Sequence, residues 1–389
     1  MRQQGYVALV IHAAPASLGF ATSTSGNVRY LTNWSVHYTS SVLLLPTDAD
    51  PVLLYPFPRC MVEGPAEDRR AARERCWVKD IRPLTGFGFE RRSMLRDVLE
   101  DRAVGAGRIG VIGGQEMRAD LYLGLIARPS RWEFESADEI MARARMIKEP
   151  AEIELHRAAA KISGTMLYSL MHGARANGRS AADLQVELEH TGRSLGAQYA
   201  GCWLDTGPAP DHIRLQFDEL RPGPLNDGDR VQAGTYVTYE GYWAHELRMG
   251  VKGRAAPELR RQFERVREVQ DAGLRELRPG RSLGDVHRAM VRAMDEYGPY
   301  RYEQDPYRFR PGHGLGLQYA EPMVSDAFPD PEAPPGTQSE VRIEPGMVIE
   351  LHPNFGVPGI GLVCIGDSVL VTPSGPELLT SFPRELYEI

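Results

Sequence analysis

The stretch Pro311-Gly312-His313-Gly314-Leu315-Gly316-Leu317 constrains this chain more than any other. Three glycines around one histidine loosen the unfolded chain and supply nothing to pack, so such a run persists where something approaches its backbone closely. His313 then stands on a tight, side-chain-free turn as a candidate ligand or proton carrier. A glycine-rich turn with a solvated histidine is the alternative, and the surroundings decide between them.

A chain of 389 residues is long enough for about two domains and a sizeable core. Its net charge of -7, with no basic block, argues against a nucleic-acid surface. No apolar run reaches membrane-spanning length, and Val7 to Ile11 is too short and too poorly followed to act as an export segment, so a cytoplasmic protein is expected. Cys60, Cys76, Cys202 and Cys364 lack paired metal-ligand spacing and are expected to be reduced packing residues.

Up to about Arg145, strands and helices alternate in short units. Tyr6 to Ile11 is a predicted strand, Ser41 to Leu45 and Pro51 to Tyr55 a hairpin, Arg91 to Arg102 a helix and Arg108 to Ile112 a short buried strand. Ser136-Ala137-Asp138-Glu139 is expected to cap a further helix. Lys148-Glu149-Pro150 marks a break, with proline suited to the first turn of a new helix. Ile153, Ala159, Ile162, Met166, Leu167 and Leu170 give that helix an apolar stripe, and His156 and His172 are assigned no role. Helices are expected at Ser180 to Leu195, Glu258 to Leu277 and Ser282 to Tyr297. Strands are expected at Arg230 to Tyr239, Tyr242 to Val251, Gly346 to Leu351 and Gly361 to Val371. The expected class is α+β: an N-terminal α/β domain over 1–147, then helices on one side of a curved, mostly antiparallel sheet over 148–389.

Several segments together resemble the pita-bread fold of methionine aminopeptidases, prolidase, aminopeptidase P and creatinase. Arg145 to Ile153 is similar to the segment that opens the catalytic domain of that family, and Val28 to Asn33 to the N-terminal domain of its creatinase and prolidase branches. Glu344-Pro345-Gly346-Met347-Val348 and Pro311 to Leu317 resemble its two C-terminal motifs. The resemblance implies a homodimer acting on a small-molecule substrate.

The peptidases of this family hold two metal ions with two aspartates, one histidine and two glutamates. Carried over by the resemblance, those positions fall on Gly234, His245, His313, His352 and Gly366. All four carboxylates are replaced, so a dinuclear peptidase centre is not expected, because two close dications need anionic ligands. Two given positions both becoming histidine has a chance of about 1 in 1,500 on composition. The resulting expectation is one divalent transition metal, zinc, iron or copper, on His245, His313 and His352. His212 lies where the family places an active-site histidine, Arg248 keeps a family arginine, and Glu321 is a candidate to orient a ligand. These three are the candidate catalytic residues. Ala320 replaces the histidine that the peptidases place before that glutamate. Tyr307, Arg308 and Arg310 are candidates to bind a small carboxylate.

The leading expectation is a non-peptidase enzyme performing hydrolytic or lyase chemistry on a small amino-acid-like or C–N-containing molecule. Three alternatives stay open: an oxygen-dependent iron or copper oxidoreductase on the same histidines, a metal-free creatinase-like amidinohydrolase with His212 as base, and an inactive binding protein.

Overall fold

The computed structural model describes residues 1–14, 26–34, 40–55, 65–84, 94–211, 219–296, 311–319 and 340–389. Two compact units result, one of Met1–Arg145 with Leu317–Tyr319, the other of Met146–Gly316 with Ala320–Ile389.

The first unit is built on a six-stranded mixed sheet of β1 (Tyr6–Ala13), β2 (Ser41–Pro46), β3 (Val52–Tyr55), β4 (Asp80–Pro83), β5 (Gly107–Ile112) and β6 (Trp132–Ser136). Their order is β4-β3-β2-β1-β5-β6, with β1 antiparallel to β2 and parallel to β5. Alternate residues feed two separate cores: Ala8, Val10, Val42 and Leu44 enter one, and Leu9, Ile11, Leu43 and Leu53 the other. A sheet buried on both faces explains why its strands are nearly continuous apolar runs. Ser136 does not cap a helix as expected. It ends β6, and its hydroxyl donates to Asp138 at the start of the helix Asp138–Met146, whose carboxylate also accepts from the Gly113 backbone.

In the second unit the helix Pro150–Gly173 starts at a capping box of Glu149 and Glu152 with proline in its first turn. Ser180 with Asp183, and Ser282 with Asp285, form the same device at Ala181–Ser194 and Leu283–Asp295. The strands β7 (Tyr199–Gly207), β8 (Arg230–Tyr239) and β9 (Tyr242–Val251) are antiparallel, and β16 (Tyr387–Glu388) adds parallel to β9. Ala200, Leu204, Val231, Ala233, Val237 and Ala244 bury one face of that sheet with the helices Pro150–Gly173 and Ala181–Ser194. Strand alternation turns Trp203, Gly234, Tyr236, His245 and Leu247 to the other face.

The sheet expected to be single is two. A second four-stranded sheet runs β10 (Gly312–Gly314), β11 (Val348–Leu351), β14 (Asp367–Thr372), β15 (Gly375–Leu378), with a separate hairpin of β12 (Asn354–Val357) and β13 (Gly361–Cys364). The expected strand Gly361 to Val371 is broken at Ile365 and Gly366, where Gly366 bridges to Leu247 of β9 and ties the sheets together. The helices Pro257–Glu276 and Leu283–Asp295 share a core with Ile349, Leu351, Val363 and Val369. Among the described residues, no helix is long and apolar enough to cross a membrane.

Both units enclose buried neutral histidines, among them His12 in the first and His156 in the second. Burial pushes His12 down to about 4, and His156 to about 3, where the nearby Lys148 charge adds to burial. Above the unfolded value near 6.5 the rings are neutral in both states and stability is full. As pH falls toward 4 and 3 the unfolded chain takes up protons the folded one refuses, costing on the order of 3 kcal/mol per histidine. Denaturation midpoints should therefore fall between pH 6.5 and 4, with a shallower slope in His156→Leu. An equal slope in that variant would contradict this assignment.

Candidate metal centre

Backbone pairing creates the centre. In the β10–β11 ladder His313 lies directly opposite Glu350, with Gly312 opposite Leu351. A Cβ at Gly312 would run into the Glu350 carbonyl oxygen, the close approach that a glycine beside His313 permits. The His313 Nδ1 lies 3.0 Å from the Gly314 carbonyl. Since a carbonyl can only accept, Nδ1 carries the proton and the Nε2 lone pair faces Glu350 Oε2 at 3.0 Å.

His245 repeats this logic on β9. Its Nδ1 donates to the Thr235 carbonyl at 2.6 Å, and Nε2 lies 3.5 Å from Glu350 Oε1. Tyr236, its cross-strand partner, stacks on the imidazole with centroids 4.5 Å apart and planes inclined by 6°. The Ser368 hydroxyl of β14 holds the His245 carbonyl at 3.1 Å. His352 follows β11, with its amide on Pro311 O at 2.8 Å and its ring 5.2 Å from that of His313 and 6.0 Å from that of His245. Ligand atoms of His313, Glu350 and His352 all lie within 4.8 Å of one another.

Beside the three expected histidines lies a carboxylate. Glu350 is fully buried between two of them, although none of the family's carboxylate positions predicts it. Its signal was the spacing Glu350-x-His352, which on a strand puts both side chains on one face. Gly366 makes the room: a Cβ there would stand 3.0 Å from Glu350 Oε1, 2.9 Å from His352 Cβ and 2.8 Å from Leu247 Cδ1. At Gly234 a Cβ would overlap the indole nitrogen of Trp203 and lie 2.5 Å from its Cε2. The two glycine positions that would supply carboxylates to a dinuclear centre are therefore occupied by other side chains, and the residues present do not fit such a centre. They do fit one cation, because the ligand atoms of His313, Glu350 and His352 converge within 4.8 Å and the Nε2 atoms of His245 and His313 both face the buried Glu350 carboxylate.

Electrostatics agrees. Burial, with the Asp367 charge added, holds the Glu350 carboxyl well above the usual range. Burial, then the neighbouring His352 and His313, holds His245 well below its ordinary value. Glu350 and His245 each resist carrying an unpaired charge, and a bound cation would pair the Glu350 carboxylate. Glu246 differs: alternation turns it to the helix side of β9, and burial pushes its carboxyl up to about 8.

Arg248 is not placed to touch a substrate, contrary to expectation. The fully buried guanidinium donates to Asp367 at 2.6 Å and to the carbonyls of Leu247, Gly366, Phe382 and Pro383. Asp367 also accepts from Gln270 at 2.8 Å. Arg248 thus clamps the backbone at Gly366, and with it the space that Glu350 occupies. His212, Glu321, Tyr307, Arg308 and Arg310 lie outside the described residues.

Residues 154–373, more than half of the chain, match metallopeptidase family M24. Ectoine hydrolase of Halomonas elongata is 26% identical over 418 residues, covering 100% of this chain and 94% of that protein. The Xaa-Pro dipeptidase of Pyrococcus furiosus is 26% identical over 256 residues, covering 65% of this chain and 68% of the dipeptidase. The crystal structure of a prolidase from Thermococcus sibiricus superposes with a TM-score of 0.78 at 20% identity, covering 100% of this chain and 96% of the prolidase. The N-terminal domain followed by a pita-bread domain is thus the shared architecture. On the sequence match and that fold, the chain belongs to metallopeptidase family M24.

Proposed function

We propose that this chain is a hydrolase of a small C–N-containing molecule that uses one divalent transition metal on His245, His313, His352 and Glu350, and that it is not a dinuclear peptidase. The observation that carries this reading is the Glu350 carboxylate between the Nε2 atoms of His245 and His313, at 3.5 and 3.0 Å. The similarity to ectoine hydrolase supports the substrate class, because it spans the whole chain while that to the Xaa-Pro dipeptidase spans 65% of it.

A divalent ion on such a donor set supplies Lewis acidity toward a carbonyl or a water molecule. The chain does the rest. Glu350 brings one negative charge, leaving the centre a net single positive charge that favours neutral or anionic substrates. The Thr235 and Gly314 carbonyls keep the His245 and His313 protons on Nδ1, so each ring presents an Nε2 lone pair, and no N–H, to the centre. The Trp203 indole fills the space over Gly234. His212 is assigned the acid or base role by its position in the sequence.

Metal content of protein purified without chelator tests this reading. About one equivalent of a transition metal per chain is expected, with no hydrolysis of Xaa-Pro dipeptides and no oxygen uptake with amino-acid substrates. Two equivalents, none after reconstitution, or oxygen-dependent turnover would each overturn it. In His212→Ala, turnover should fall while the metal stays. Unchanged turnover removes His212 from the mechanism.

A further inference from the structure

Arg230, at the start of β8, is only 7% exposed. Buried guanidinium groups are ordinarily paired, and Arg248 of this chain obeys that rule with Asp367. Among the described residues no carboxylate pairs with Arg230, and burial alone depresses its pKa. Its neighbour Asp229 is committed to Arg221 at 2.6 Å and to the Asn226 amide at 2.9 Å.

The guanidinium has a defined free edge. Nη1 donates to the Ile360 carbonyl at the tip of the β12–β13 hairpin, while Nε and Nη2 donate to no described group and are not fully enclosed. Nε and Nη2 form the side-on fork that matches both oxygens of a carboxylate. Arg82 grips Asp80 with this same edge, at 3.0 Å from Nε and 2.7 Å from Nη2. A second cation borders the place: Gly207 is the cross-strand partner of Arg230, and a Cβ on it would meet Arg221 Nη1 at 3.3 Å.

We propose that Arg230 anchors a binding subsite for a small carboxylate, held side-on by Nε and Nη2 and apart from the metal centre. Tyr236, which stacks on His245, is six residues farther along β8, so the two places are separated by roughly 20 Å at about 3.3 Å per residue. The subsite instead adjoins Pro210, whose carbonyl accepts from Leu362 at 2.9 Å, two residues before His212.

Calorimetric titration with sodium acetate at constant ionic strength, with acetamide as the neutral control, tests the proposal. Acetate should bind wild type and His352→Ala alike, at least about tenfold more weakly to Arg230→Leu, and with intermediate affinity to Arg230→Lys, which keeps the charge but loses the fork. Acetamide should not bind. Arg230→Lys carries the test if the leucine variant fails to fold. Equal acetate affinity in Arg230→Leu and Arg230→Lys as in wild type would overturn the subsite. So would binding lost in His352→Ala but kept in Arg230→Leu, which would place the anion at the metal centre. Absence of binding in wild type would overturn it too.

Discussion

Glu350→Gln is expected to weaken metal binding at least a hundredfold, while leaving the chelated protein at least as stable as wild type. The substitution keeps the shape of the side chain and removes the carboxylate that faces both His245 and His313. Residues that merely orient a metal ligand are worth about ten- to a hundredfold in affinity, and loss of a charged donor should exceed that. The second half of the expectation has the opposite sign. A fully buried carboxyl is costly without a cation, and the amide escapes that cost at any pH where the acid would ionise. Competition with a chromophoric chelator measures the first effect and denaturant unfolding in chelator the second. Affinity within threefold of wild type would remove Glu350 from the donor set and leave the histidines to act alone.

Gly234→Asp should lower stability by about 3 kcal/mol or more, because its side chain must enter space held by the Trp203 indole. Trp203→Ala alone should cost a similar amount through the cavity it leaves. Together the two changes should cost less than their sum, by on the order of 1 to 3 kcal/mol, since each supplies what the other lacks. Guanidinium unfolding of the four proteins closes this cycle. Strict additivity would mean that the indole moves aside freely and does not bar a side chain from position 234. Coupling would explain why restoring one aspartate cannot rebuild a dinuclear centre: the pocket has been refilled, so the ligand and the indole must change together.

Much of the fold was readable because it is written in local periods. The period-two runs Arg230 to Tyr239 and Tyr242 to Val251 are strands over those same bounds, and capping residues at Ser180 and Ser282 mark helix starts that the structure keeps. The resemblance placed His245, His313 and His352, and the structure gathers their rings within 6.2 Å of one another, centroid to centroid. Gly366 was misread as lying inside a continuous strand. The residue interrupts the strand and bridges to Leu247, a contact across more than a hundred positions of sequence that no local pattern encodes. Ser136 misled for a related reason: its spacing suits a helix cap, but pairing of β6 with β5 claims its backbone first.

By itself, then, the sequence determined the strands, the helices with their caps, and the three histidines, all of which depend on neighbours a few residues away or on motif spacing. Only the tertiary structure decided that Glu350 joins those histidines, that Trp203 covers Gly234, and that Arg248 is a clamp. Glu350 meets His313 through strand register across 37 positions, and Arg248 spends its donors on carbonyls up to 135 positions away. Which buried charge finds which partner is settled when sheets pair and pack, because the cost of leaving one unpaired is felt only once water has been excluded.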